Sequence, residues 1–313
     1  MKNISIIFIM AVLMTQCSVK KKLITNHSLS PNCSCEGKGS YTFVLDAGMG
    51  NWLIFYSPVI QKLKLHTKVC WIDRPGYNMF EAPAGKRDAE TISKEINAVL
   101  VKNNVVDSII FVGHSMGGLH ARMFQYLYPE KVKGLVLLDA AHPNQFDTLP
   151  EAFSDLKKQQ LEYMDRVIKF AQRDWIKFQK DKIPTFGIPD SLLRRYYEVT
   201  ISPQYYHTLK KEVFWFDTSL LQVRKINDLG QLPLLVVGSK NSMQQEILPG
   251  KLDNYPFEKH NQVWLSLQKD LSNLSNNSMF EISEQNHYLN ITDSKFVVNC
   301  ILKFYYERID KSF

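Results

Sequence analysis

Blocks of basic residues interleaved with aromatics are missing from this sequence, although its net charge is +7. The lysines are scattered along the chain. That reads as a solvated surface, mildly attracted to anionic membrane or envelope polymers, and it argues against nucleic-acid binding. Cysteine and histidine do not cluster at zinc-ligand spacing, so neither a metal nor an organic cofactor is expected. The apolar run from Ile4 to Met14 is too short for a comfortable transmembrane helix. What is present is ordinary globular chemistry. The 313 residues are 45% hydrophobic and 22% charged, enough for one large α/β domain or two small ones.

The basic start Met1-Lys2-Asn3 and the short apolar run have the form of a secretory signal peptide over residues 1–17. Cys17 falls where a bacterial lipoprotein carries its lipidated cysteine, with Gln16 in place of the usual small residue. The expectation is an exported protein, periplasmic or anchored to the membrane through its N-terminus. Residues 18–40 read as a polar tether followed by an edge strand. Export permits disulfides. Cys35 precedes the first strong strand and Cys70 lies inside another, so a Cys35–Cys70 bridge is expected, with Cys33 as the competing partner. Such a bridge would stabilise by roughly 3–4 kcal/mol in the loop-entropy model. Cys300, in an apolar helix, reads as a buried free thiol.

The most informative stretch is Ser108-Ile109-Ile110-Phe111-Val112-Gly113-His114-Ser115-Met116-Gly117-Gly118-Leu119. A buried strand ends in a sharp turn, and a helical pattern follows. A serine on such a turn has its Oγ pushed into the open. Strand and helix pass closely there, so the positions two before and two after it must be nearly free of side chain, as Gly113 and Gly117 are. The helix N-terminus aims amides at the same spot. A second glycine turn, Asp46-Ala47-Gly48-Met49-Gly50, follows the strand Tyr41–Leu45. The Met49 and Met116 amides together would form an oxyanion hole. Strands near 69–72, 109–112, 135–139, 232–237 and 279–282 alternate with helices near 52–63, 89–102, 264–274 and 293–308. The alternation predicts a parallel sheet covered on both faces.

These motifs, together with Asp73-Arg74-Pro75-Gly76-Tyr77 and Tyr128-Pro129, make the chain similar to the α/β-hydrolase superfamily, in the branch of carboxylesterases and acyl-carrier methyl ester hydrolases. The resemblance implies an α/β-hydrolase fold: a mostly parallel central sheet flanked by helices, with core segments 41–143 and 232–313. It also implies a helical cap at 144–231. There the periodicity is helical over Leu156–Phe178 and Ser191–Val199, and Pro184, Pro189 and Pro203 read as punctuation. The cap's aromatics, such as Trp175, Phe178, Tyr196, Tyr205, Tyr206, Phe214 and Phe216, would either form its own core or line a pocket.

A serine needs a base and a group that orients the base. His287 follows the last strand and precedes the final helix, where the family's histidine lies. The acid is open between two places. Asn241 stands where the family commonly has Asp, past the strand 232–237. Asp139 stands at the second placement known in lipase-like relatives, after the strand that follows the nucleophile's. Glu246 and Asp253 are remote alternatives. The resemblance therefore implies a serine hydrolase acting on a small-molecule ester or thioester, with Ser115, His287 and Asp139 as catalytic residues. The competing expectation, resting on Asn241, is a catalytically silent binding protein of the cell envelope.

Overall fold

The structure is a computed structural model, and it describes residues 32–77, 83–170, 185–200, 202–244 and 254–310. The signal and tether readings before residue 32, including Cys17, lie outside the described residues. So do Trp175, Phe178, Glu246 and Asp253.

A seven-stranded sheet organises the chain, in the order β1-β3-β2-β4-β5-β6-β7. The strands are β1 (Asn32–Glu36), β2 (Thr42–Asp46), β3 (Lys68–Asp73), β4 (Ile109–His114), β5 (Val132–Leu138), β6 (Leu234–Ser239) and β7 (Ser278–Ser283). All pairs are parallel except the edge strand β1, which runs antiparallel to β3. Within β4 the residues alternate between two apolar layers: Ile109 and Phe111 belong to one, Ile110 and Val112 to the other. This is the period-2 geometry of a strand covered on both faces.

One layer is made by helices α1 (Ser57–Leu63) and α8 (Ser294–Phe304), through Val59, Ile60, Val297 and Ile301. The other contains α2 (Ala89–Lys102) and α3 (Met116–Leu127), through Ile92, Ile96, Leu119 and Phe124. Asp88 starts α2 by accepting from the Thr91 amide at 2.9 Å, which satisfies one of the helix's orphan donors.

Among the described residues the insertion folds as a short turn of helix (Gln145–Thr148) and the longer helices α4 (Ala152–Phe170), α5 (Asp190–Thr200) and α6 (Pro203–Arg224). Pro203, read as punctuation, marks the start of α6. It occupies the first turn, and Ser202 Oγ accepts from the Tyr205 amide. The C-terminal half of α6 does not stand apart as a cap: Phe216, Leu220 and Val223 belong to the main core layer. Helix α7 (Phe257–Ser272) packs beside β6. Among the described residues no helix is long and apolar enough to cross a membrane.

Cys35 and Cys70 face each other in the β1–β3 register, with Cα atoms 4.1 Å apart, and are joined as a disulfide. Cys33 is a buried free thiol, its pKa pushed up to about 11 by burial. Cys300 is also buried and free.

Candidate active site

Because β2, β4, β5, β6 and β7 are parallel, their carboxyl ends lie at one edge of the sheet. The registers pair Asp46 with Gly113, His114 with Leu138 and Ser239 with Ser283. The loops that follow carry Met49, Ser115, Asp139, Ser242 and His287 to the same place.

Ser115 connects β4 to α3 with φ 52° and ψ −122°. Holding a non-glycine residue there costs on the order of 1–3 kcal/mol, which the neighbouring backbone sustains. The Ser115 amide donates to the Leu138 carbonyl at 3.1 Å, and the Ser115 carbonyl accepts from the amides of Gly118 and Ala141. A Cβ on Gly113 would lie 2.3 Å from the Gly117 carbonyl oxygen, and one on Gly117 would lie 2.3 Å from that of Asp46. Both positions are therefore closed to side chains by backbone, which cannot move aside.

Asp139 is wholly buried, with φ 42°, a region that Asp tolerates better than most residues. Its Oδ1 accepts from the Ser239 amide (2.9 Å) and the Trp264 indole N–H (2.8 Å). Its Oδ2 accepts from Ser242 Oγ (2.5 Å) and His287 Nδ1 (2.6 Å). Four donors fill the carboxylate's acceptor capacity and lock its orientation. The last of them leaves the proton of His287 on Nδ1 and makes Nε2 the basic nitrogen.

The backbone of the His287 loop is tied from both sides. The His287 amide donates to the Ser242 carbonyl (3.1 Å), and His114 Nε2 donates to the His287 carbonyl (2.7 Å). Burial, reinforced by the nearby His287 ring, lowers the His114 pKa to about 3, so His114 is a neutral donor.

Asn241 is turned elsewhere and donates to the Glu284 carbonyl at 2.7 Å. The residue at the acid's usual location that does reach the pair is its neighbour Ser242, 3.4 Å from His287 Nδ1. Sequence reasoning assigned nothing to Ser242 or Trp264. The serine carried no motif, and Trp264 looked like the start of a helix that in fact begins at Phe257.

Ser115, Met49, Met116 and His287 line one cavity of about 350 Å³. Among the described residues neither the Met49 nor the Met116 amide makes a hydrogen bond to another backbone group, and the two residues flank Ser115. The cavity wall is largely aromatic. The insertion contributes Tyr163, Phe186, Tyr196, Tyr205, Tyr206 and Phe216, whereas Phe214 is exposed. Several of these residues also pack on one another or on the core, as Tyr205 does against Tyr206 and Tyr196 by stacking on Trp52. His260 adds a polar edge. Its Nδ1 meets the Tyr255 hydroxyl at 2.7 Å, and burial lowers its pKa to about 4. Among the described residues the lining includes no Asp, Glu, Lys or Arg. The candidate metal-ligand cluster among them is Cys33, Cys35 and Cys70, of which two are consumed by the disulfide.

A family model for the alpha/beta hydrolase fold matches residues 43–295. Among curated proteins, the chain is 29% identical over 115 residues to the Bacillus subtilis protein named uncharacterized protein YbdG, covering 36% of this chain and 35% of that one. It is 26% identical over 138 residues to a pimeloyl-[acyl-carrier protein] methyl ester esterase of Yersinia enterocolitica, covering 42% of this chain and 51% of that one. The matched stretches thus span about a third to a half of these relatives' own length. Among solved structures, a meta-cleavage product hydrolase from Pseudomonas fluorescens IP01 superposes with a TM-score of 0.65 at 17% identity, covering 91% of this chain and 98% of that one. With the parallel sheet, the serine turn after β4 and a family match that spans most of the chain, this protein belongs to the alpha/beta hydrolase fold family.

Proposed function

We propose that the protein is a serine hydrolase that cleaves a carboxylic ester or thioester through an acyl-enzyme on Ser115. The observation that carries this reading is the His287–Asp139 pair, held at 2.6 Å in the loops that border the strained Ser115 turn and its cavity. His287 Nε2 takes the Ser115 hydroxyl proton as Oγ attacks the carbonyl carbon. The oxyanion so formed accepts from the Met49 and Met116 amides. Collapse of the intermediate expels the alcohol or thiol, which receives the proton from His287. Water, deprotonated by His287, then attacks the acyl carbon and releases the acid and free Ser115.

The aromatic wall, uncharged among the described residues, supports a substrate whose buried part is neutral and apolar. The esterase among the relatives supports ester chemistry. The silent-binder reading rested on the missing acid at Asn241, and the Asp139 carboxylate 2.6 Å from His287 Nδ1 argues against it. Export through residues 1–17, with anchoring at Cys17, belongs to the same proposal. The Cys35–Cys70 disulfide supports it, because such bonds persist in oxidising compartments.

The test is hydrolysis of a short-to-medium p-nitrophenyl ester series, with labelling by a serine-reactive phosphonate. Turnover and labelling that both vanish in Ser115→Ala are expected. A wild-type protein that neither turns over any ester nor takes the label would end the hydrolase reading.

A further inference from the structure

Beneath the turn that carries Met49 lies a buried ionic cluster that the chemistry above does not use. Arg74, 1% exposed, pairs with Asp46 at 2.6 Å and with Glu212 at 3.0 Å, both of them fully buried. Arg74 also donates to two successive backbone carbonyls, Ala47 and Gly48, each at 2.7 Å. These carbonyls belong to the turn after β2. In a trans peptide the C=O and the following N–H point in opposite directions. Drawing the Gly48 carbonyl inward onto Arg74 therefore turns the Met49 N–H outward, away from the guanidinium. The turn lies against Ser115: a Cβ built on Gly48 would be 3.0 Å from the Ser115 Cβ. The Asn51 amide donates to the same Gly48 carbonyl at 3.1 Å, so Arg74 and this local turn bond together set which way the Met49 donor faces.

Arg74 is in turn held by a residue of the insertion. Glu212 lies on α6. Besides binding Arg74, it accepts from the Tyr77 hydroxyl at 2.7 Å and from the Gly50 amide at 3.4 Å, in the same turn as Met49. The rest of this face of α6 rests on the same two core turns. Tyr205 and Leu209 are the nearest neighbours of Gly50, and Thr208 covers Gly76 so closely that a Cβ there would lie 1.8 Å from its Oγ1. Residues 205, 208, 209 and 212 share one helical stripe. A buried guanidinium without its carboxylate partners would be costly, so the cluster favours a single arrangement in which α6 is seated. Although burial disfavours its charge, Glu212 and Asp46 more than offset this and raise the Arg74 pKa.

We propose that Glu212 is a positioning residue of the oxyanion hole, which orients the Met49 amide through Arg74 only while α6 is seated on the core. The inference rests on the serine hydrolase reading and extends it, by making the insertion a structural condition for the transition state as well as a wall of the cavity.

The experiment compares wild type, Glu212→Gln, Glu212→Asp, Tyr77→Phe and Leu221→Ala. It reads kcat and KM on one p-nitrophenyl ester, inhibition by an aryl trifluoromethyl ketone and the thermal midpoint. The ketone adds to the serine and places an oxyanion where the substrate's would form. Loss of a whole oxyanion donor costs about 10²–10³ in kcat, so a misdirected donor in Glu212→Gln should cost roughly 10–50-fold. KM should stay within about twofold, and Ki for the ketone should rise by the same factor as kcat/KM falls. Glu212→Asp should recover part of the loss, and Tyr77→Phe should show a smaller one of the same kind. Leu221→Ala, at an exposed position of α6, should match wild type.

If Glu212→Gln keeps wild-type kcat and ketone affinity, the inference is overturned while the hydrolase reading stands. It is overturned equally if activity falls only with the folded fraction, ketone affinity being unchanged in the molecules that remain folded. A wild-type protein without turnover or phosphonate labelling would remove the hydrolase reading and this inference together.

Discussion

The carboxyl edge of the sheet and the insertion above it are built on different physical terms. At the edge, hydrogen bonds do most of the holding, from backbone at Ser115 and chiefly from side chains at Asp139. Ser115 is fixed by amide and carbonyl bonds to Leu138, Gly118 and Ala141, and Asp139 by four donors from four separate residues. In the insertion, side chains do the holding through ring contacts such as Tyr205 against Tyr206 and Phe186 against Tyr288. Hydrogen bonds tolerate displacements of tenths of an ångström, whereas aromatic packing can be refilled by a different set of rings. Function at the edge should therefore fail abruptly on substitution, and function at the wall should change by degrees.

The sharpest break in that comparison comes from Ser115→Ala. It should remove ester turnover by about 10⁶-fold and abolish phosphonate labelling, with folding unchanged by circular dichroism. Next is Asp139→Asn. The His287 tautomer is then no longer enforced, and kcat should fall by about 10⁴-fold with KM nearly constant. A loss below tenfold would show that the carboxylate serves the loop and not the base.

On the other side of the comparison, Val213→Ala enlarges the cavity by removing two methyl groups from a buried lining residue. It should move the preferred acyl chain longer and change the ratio of kcat/KM between neighbouring chain lengths by about tenfold. Uniform loss across the ester series would place Val213 with the rigid edge instead.

Acid tests the edge, through His114, and the core side of the cavity wall, through His260. His114 and His260 have folded-state pKa values lowered from 6.5 to about 3 and about 4, so below pH 6.5 the unfolded chain takes up protons that the folded protein refuses. Stability should be complete above pH 6.5 and should decline on acidification through pH 4 toward pH 3, by about 1 kcal/mol per pH unit for each histidine. Urea midpoints across that window measure it, and His260→Gln should flatten the upper part of the slope. The smallest effect belongs to Asn241→Asp. With Asn241 bonded to the Glu284 carbonyl, the change should leave kcat within about twofold. A large gain would mean that the acid position beside β6 can take over from Asp139.

The parts of this molecule that are legible in one dimension are those whose cause is local. The β-branched run before Gly113, the paired glycines around Ser115 and the alternation of strands with helices all reflect near-neighbour sterics and periodicity. Helix α6 is not legible in the same way. Its apolar residues face the core layer on one side and the cavity on another, so no single stripe stands out, although Pro203 marks its start. Ser242 and Trp264 escape notice because a lone serine and a lone tryptophan have no signature of their own. Their meaning comes from Asp139, more than 100 residues earlier in the chain.

Amino-acid order alone dictates the strand–turn–helix at Ser115, the glycines it requires and the succession of serine, acid candidates and histidine. Which acid meets His287, and that Glu212 reaches Arg74 across 138 positions, are matters of tertiary structure. Close packing and trans peptide geometry are enforced between chain neighbours and leave their mark locally. A carboxylate's partner, by contrast, is chosen by which loops converge at the sheet's edge, and that convergence is a property of the whole fold.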